Sequence, residues 1–161
     1  MFVDSHCHLE MEDFEKDRQE VIEKSLRDGL QYILTVGTDE AYFGKVVQII
    51  ERYPSVYGAI GVHPHNSKEY SPQLEKTISS FLKNKKIVGY GEIGLDFFKN
   101  YSPRESQIHA FQLQLEVAKS SKLPAIIHSR NAKDETIQIL NTACDGNLGG
   151  VIHCYSYDLP A

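Results

Sequence analysis

His6 and His8 stand two residues apart in Asp4-Ser5-His6-Cys7-His8, directly after the apolar pair Phe2-Val3. In an extended strand both imidazoles project from one face and can reach one metal ion, while Ser5 and Cys7 point the other way. A lone His-x-His is more often an idle surface pair, so the rest of the chain must supply the context. Ile87-Val88-Gly89-Tyr90-Gly91 leads into Glu92, a carboxylate able to bridge two ions, and glycines at 89, 91 and 94 let backbone and ligand approach closely. Pro124-Ala125-Ile126-Ile127 runs into His128, where a purely structural buried histidine would need a donor and an acceptor that its neighbours do not offer. Gly149-Gly150-Val151-Ile152 then runs into His153, repeating the pattern one strand later.

Together His6, His8, Glu92, His128 and His153 supply four imidazoles and one carboxylate, a donor set suited to Zn²⁺ or Mn²⁺, with Mg²⁺ preferring more oxygen. Gly61-Val62-His63-Pro64-His65 adds two histidines on a turn stiffened by proline. His63 can orient water, protonate a leaving oxygen or touch a phosphate, or it can be one satisfied residue of a polar loop. His65 has the same choices, with the idle one favoured. Arg130 can clamp a phosphate through its guanidinium fork. Asp96 can bond a ligand or hold its own loop. His109 falls within a helical stretch and reads as structural.

The elements that must position these groups follow from the hydrophobic pattern. Short apolar, β-branched runs occur at Phe2-Val3, Tyr32 to Val36, Val56 to Val62, Ile87 to Glu92, Pro124 to His128 and Gly150 to Ile152, and predict six strands. Between them, helical spacing predicts five helices, over Asp13 to Arg27, Asp39 to Tyr53, Ser71 to Leu82, Pro103 to Ser120 and Ala132 to Thr142. Local signals support the boundaries. Gly29 stands where a C′ glycine should, Thr38 or Asp39 can cap the second helix, and Ser102-Pro103-Arg104-Glu105 reads as N-cap, N1 proline and acidic first turn.

Strict strand–helix alternation demands a mostly parallel sheet covered by helices. A doubly wound nucleotide-binding sheet should place phosphate-cradling glycines after its first strand, where this chain has histidines. Instead, polar residues end at least five strands on one rim, as in a TIM-type (β/α) barrel. The reading is therefore one α/β domain over residues 1–161, an incomplete barrel with about six of eight strand–helix units. Its first and sixth strands would then expose edges open to self-association.

Bulk properties limit the alternatives. With 17 Lys and Arg against 22 Asp and Glu, a net charge of −5 excludes a broad basic surface, so any nucleic acid must be held by local groups. Three cysteines, Cys7, Cys144 and Cys154, make no disulfide framework, and no apolar run is long enough to span a bilayer. Without a recognisable leader, the expected setting is the cytoplasm.

Asp4-Ser5-His6-Cys7-His8-Leu9, Gly61-Val62-His63-Pro64-His65, Gly91-Glu92-Ile93-Gly94-Leu95-Asp96, Ile127-His128-Ser129-Arg130 and Ile152-His153-Cys154-Tyr155-Ser156 together resemble the TatD family of metal-dependent deoxyribonucleases. The resemblance implies a (β/α)₈ barrel, two divalent ions, and DNA as substrate, cleaved often from the 3′ end. It implies that His6 and His8 bind one ion, that His128 and His153 bind a second, and that Glu92 bridges them. Glu92 and His63 are then the catalytic candidates, and His65, Arg130 and Asp96 the substrate contacts. The family places a further metal-binding aspartate on a later strand, beyond Ala161, and Asp158 follows His153 too closely to replace it. A second expectation is therefore an inactive barrel fragment. A third is another ester hydrolase on the same scaffold, such as a D-aminoacyl-tRNA deacylase. Amide hydrolases of the wider superfamily often bridge their metals with a carboxylated lysine, and Glu92 argues against them.

Overall fold

A computed structural model describes residues 2–143, 146 and 148–158; Cys144 lies outside them. Six strands form one sheet: β1 (Phe2–Cys7), β2 (Leu30–Gly37), β3 (Val56–Ile60), β4 (Ile87–Asp96), β5 (Ala125–Arg130) and β6 (Gly150–Ile152). Their spatial order is their chain order, and every neighbouring pair is parallel. A doubly wound sheet reverses its strand order at a switch point, whereas this one never does, which is the topology of a sheet curling toward a barrel.

The five crossovers carry α1 (Arg18–Arg27), α2 (Glu40–Arg52), α3 (Pro72–Phe81), α4 (Arg104–Ser121) and α5 (Lys133–Ala143). One continuous core joins helices and sheet: Ile22 of α1, Phe43, Val46 and Ile50 of α2, Ile78 of α3, and Phe111, Leu115 and Ala118 of α4 pack with Ile60, Ile87 and Tyr90 of the strands. Each large side chain so buried is worth about 1.5–3 kcal/mol relative to exposure. Val36, Ala59 and Ile126 form a separate small cluster with Leu34. That division suits a curled sheet with helices outside and its own side chains inside.

Several boundaries depart from the sequence pattern, each for a local reason. The first helix starts at Arg18 rather than Asp13, because Glu12–Phe14 forms a separate 3₁₀ turn. Asp39, not Thr38, caps α2 by accepting the Ala41 N–H at 2.9 Å. Ser102 does not cap α4. Its hydroxyl instead donates to the His65 carbonyl at 2.7 Å and accepts the Lys68 N–H at 3.2 Å, tying two rim loops together. β4 runs four residues past Glu92, so Asp96 lies on the strand. Pro64–Glu69 forms a further 3₁₀ segment that the apolar pattern does not announce. No helix among the described residues is long and apolar enough to cross a membrane.

Candidate metal centre

β1, β4 and β5, with the turn after β3, bring His6, Glu92, His128 and His63 to one place. Glu92 is 4% exposed, and its two oxygens face different partners: Oε2 lies 3.3 Å from His6 Nε2, while Oε1 lies 2.9 Å from His128 Nδ1 and 4.0 Å from His63 Nε2. His153 stacks on His6 with ring centroids 3.6 Å apart and planes 11° from parallel. Two groups result whose ligand atoms lie within 4.8 Å of one another, His6–Glu92–His153 and His63–Glu92–His128, with Glu92 common to both. Imidazole nitrogens and a carboxylate crowded this closely are a donor set that a divalent cation satisfies, so the residues fit a metal.

The grouping differs from the one the resemblance implies. His6 is matched with His153, and His128 with His63. His8 stands beside His6, with Nε2 atoms 3.3 Å apart, and joins neither group. The pairing reflects the curl of the sheet, which brings the ends of β1 and β6 together.

Ring partners assign the tautomers. His8 Nδ1 faces the Val36 carbonyl at 2.8 Å and Glu10 Oε1 at 3.2 Å. Its proton therefore sits on Nδ1, and Nε2 turns a lone pair toward His6 and the centre. His63 is the opposite case. Its Nδ1 accepts the His65 backbone N–H at 3.2 Å, so a neutral His63 carries its proton on Nε2 and points an N–H at the Glu92 side. Burial holds the His63 pKa down at about 3, against the attraction of Glu92. It is thus a neutral donor at ordinary pH. Hydrogen bonding to Glu10 raises the pKa of His8. Burial pushes His128 down, but its bonds and charge contacts with Glu92 and Asp96 outweigh that and raise it. Glu92 is likewise pushed up by burial, yet hydrogen bonds to His128 and His6 hold it well below the usual carboxylate range. Burial and the neighbouring His6 lower His153.

The expected substrate contacts separate. Asp96 is 1% exposed and fully engaged: Oδ2 lies 2.9 Å from His65 Nε2 and 3.1 Å from His128 Nε2, and Oδ1 accepts the N–H groups of Phe98 and Lys99 at 3.0 and 2.8 Å. As placed it holds its own loop and two histidines. The Arg130 guanidinium carbon lies 4.0 Å from the Phe98 ring centroid. His65 lies on the rim edge-on to Tyr101, 4.7 Å between centroids. His109, on α4, joins neither group.

Three positioning residues escaped the sequence reading. Glu10, 2% exposed, meets His8 and accepts the Thr35 hydroxyl at 2.6 Å, and Thr35 in turn accepts the Leu9 N–H at 3.0 Å. Gln114 clamps Val62, the residue before His63, accepting its N–H at 2.7 Å and donating to its carbonyl at 3.0 Å. Gln107 does the same for Asp96, at 2.7 and 3.1 Å, and also donates to Ser102 O. The signal was available: glutamines seven residues apart fall on one helical face with Phe111, Leu115 and Ala118.

Known proteins resemble this arrangement. The chain is 33% identical over 156 residues to a metal-dependent hydrolase of Bacillus subtilis, YabD, covering 97% of this chain and 61% of that protein. It is 32% identical over 153 residues to the 3′-5′ ssDNA/RNA exonuclease TatD of Salmonella typhimurium, covering 95% and 59%. It thus spans about 60% of the length of these relatives. The crystal structure of YjjV, a TatD homologue from Escherichia coli, superposes with a TM-score of 0.88 at 30% identity, covering 98% of this chain and 61% of that one. A TatD-family hydrolase from Entamoeba histolytica shares the fold at 24% identity, with a TM-score of 0.87. With the family model of TatD related DNases matching residues 3–160, this sheet and its ring of histidines belong to a member of the TatD-related DNase family.

Proposed function

We propose that the protein hydrolyses phosphodiester bonds in single-stranded DNA, with two divalent ions, Mg²⁺, Mn²⁺ or Zn²⁺, that the residues around Glu92 would hold. The observation that carries this reading is the buried Glu92 carboxylate, one oxygen toward His6 and the other toward His128. The exonuclease relatives support the substrate class. Bound ions would supply positive charge for the phosphate oxygens and lower the pKa of a water nucleophile. The chain's own residues contribute the rest. His6 and His153 would hold one ion, His128 the other, and His8 offers Nε2 beside His6. His63, neutral and protonated on Nε2, donates toward a phosphate or leaving oxygen on the Glu92 side. Gln114 keeps it aimed by fixing the backbone before it. Because the charge is local, a chain of net charge −5 can still hold a polyanion.

The test is cleavage of an end-labelled single-stranded oligonucleotide with added Mn²⁺ or Mg²⁺, by wild type and Glu92→Ala at equal metal loading. Cleavage should fall at least about a hundredfold in the variant. Full metal-dependent cleavage by the metal-replete variant sinks the assignment. Hydrolysis of D-aminoacyl-tRNA with no cut in the oligonucleotide would assign the centre to acyl esters instead.

A further inference from the structure

We infer that the turn after β4 is a base-stacking platform for a single-stranded nucleic acid, with Phe98 and Tyr101 receiving bases and Lys99 the phosphate between them; this rests on the proposed nuclease function. Phe98 is 53% and Tyr101 59% exposed. Two rings this open, both within 6 Å of one Lys99 Nζ, form a shared exposed patch of the kind that marks a binding surface. They are also held there. Asp96 Oδ1 accepts the Phe98 and Lys99 N–H groups, and Asn100, in the left-handed region at φ 50°, donates its side-chain amide to the Phe97 carbonyl at 2.8 Å. The buried carboxylate that pins this turn also contacts His65 and His128, so the platform is anchored to the metal centre itself.

The chemistry of the patch fits one occupant. Lys99 Nζ lies 5.8 Å from the Phe98 centroid and 5.9 Å from the Tyr101 centroid, so one cation sits between two aromatic faces. Arg130 lies over Phe98 and offers a second planar cation. Residues 97–104 and 129–133 contain Lys and Arg but no acid, in a chain whose net charge is −5. Alternating ring, cation and ring matches the base, phosphate and base of a single strand, and every base has a π-face to offer. A duplex hides those faces, so the platform also selects for unpaired strands. His65, edge-on to Tyr101, carries the path from platform to centre.

The experiment is fluorescence anisotropy of a labelled octathymidylate with a hydrolysis-resistant phosphorothioate backbone, in Mn²⁺, against a fully abasic strand of equal length and charge. Wild type should bind the abasic strand at least about fivefold more weakly. Phe98→Ala and Tyr101→Ala should each weaken binding of the normal strand by roughly five- to 150-fold, and the double variant should no longer distinguish the two strands. Phe98→Trp should restore the preference. Lys99→Ala should reduce the dependence of log affinity on log salt by about 0.7. Equal binding of both strands by wild type overturns the platform and needs no variant to fold. If wild type then still cleaves oligonucleotides, the nuclease reading stands without the platform; if it neither binds nor cleaves them, both fall.

Discussion

Exchanging Glu10 for Gln removes one negative charge from beneath His8 and changes almost nothing in shape. The Glu10 side chain is fully buried, and its carboxylate serves His8 Nδ1 at 3.2 Å and the Thr35 hydroxyl at 2.6 Å. A carboxylate behind a ligating imidazole makes it more basic and fixes its tautomer, and losing such a partner costs about 10- to 100-fold in metal affinity. Here the tautomer has a second guardian, the Val36 carbonyl at 2.8 Å. The loss should therefore fall at the lower end, about tenfold or 1.4 kcal/mol. Glu10→Ala differs. It also strips Thr35 of its acceptor and leaves a void, which should cost about 1–3 kcal/mol of stability whether or not metal is present. Titration calorimetry with Mn²⁺, alongside thermal melts of the metal-free proteins, separates the two effects. The glutamine variant keeps the volume but offers one oxygen where Glu10 uses two, so it should lose about 0.5–1.5 kcal/mol of stability, less than the alanine variant, yet bind Mn²⁺ about tenfold more weakly. Affinity within twofold of wild type would refute the idea that Glu10 acts through His8.

Gly94→Ala should lose about 3 kcal/mol or more in urea unfolding, because φ is +134° and an added Cβ would stand 2.1 Å from the His128 carbonyl oxygen across the β4–β5 pair. Gly44→Ala, with nothing within 4 Å in the middle of α2, should instead stabilise by about 0.5–1 kcal/mol. Gln114→Leu keeps the volume but leaves the Val62 N–H and carbonyl buried without partners, and should cost roughly 2–5 kcal/mol in the same assay; the exposed neighbour Gln112→Leu should stay within about 0.5 kcal/mol. In the metal-free protein the His63 pKa is held below its ordinary 6.5, so below that pH the unfolded chain takes up a proton that the folded one refuses. Stability should fall on acidification by up to about 1.4 kcal/mol per pH unit from this residue, and His63→Gln should flatten that limb of a melting-temperature profile. His128 is raised instead, so its contribution is complete below pH 6.5 and lost as pH rises through the folded value. His128→Asn should flatten the alkaline limb, and an unchanged profile in either variant would contradict its assignment.

Much of this protein is decided locally. Alternating apolar runs and amphipathic stretches specify strands and helices because each segment's period dictates which face it buries, and the parallel order follows once every crossover is a helix. The residues that close those apolar runs, His6, Glu92, His128 and His153, are legible for the same reason: a polar side chain after an apolar run lies toward one end of the sheet. What the pattern does not carry is distance through space. The curl of the sheet stacks His153 on His6 and turns His63 toward Glu92. Register across β4 and β5 sets Asp96 between His65 and His128. Arg130 looks free in sequence but lies on Phe98. Glu10, Gln107 and Gln114 read as ordinary polar residues until their burial is known, because a buried polar group must find partners, and those partners lie 2, 11 and 52 residues away. Sequence by itself determined which chemical groups reach the rim. Only tertiary packing decided which of them meet, which nitrogen of each histidine faces the centre, and which side chains hold them there.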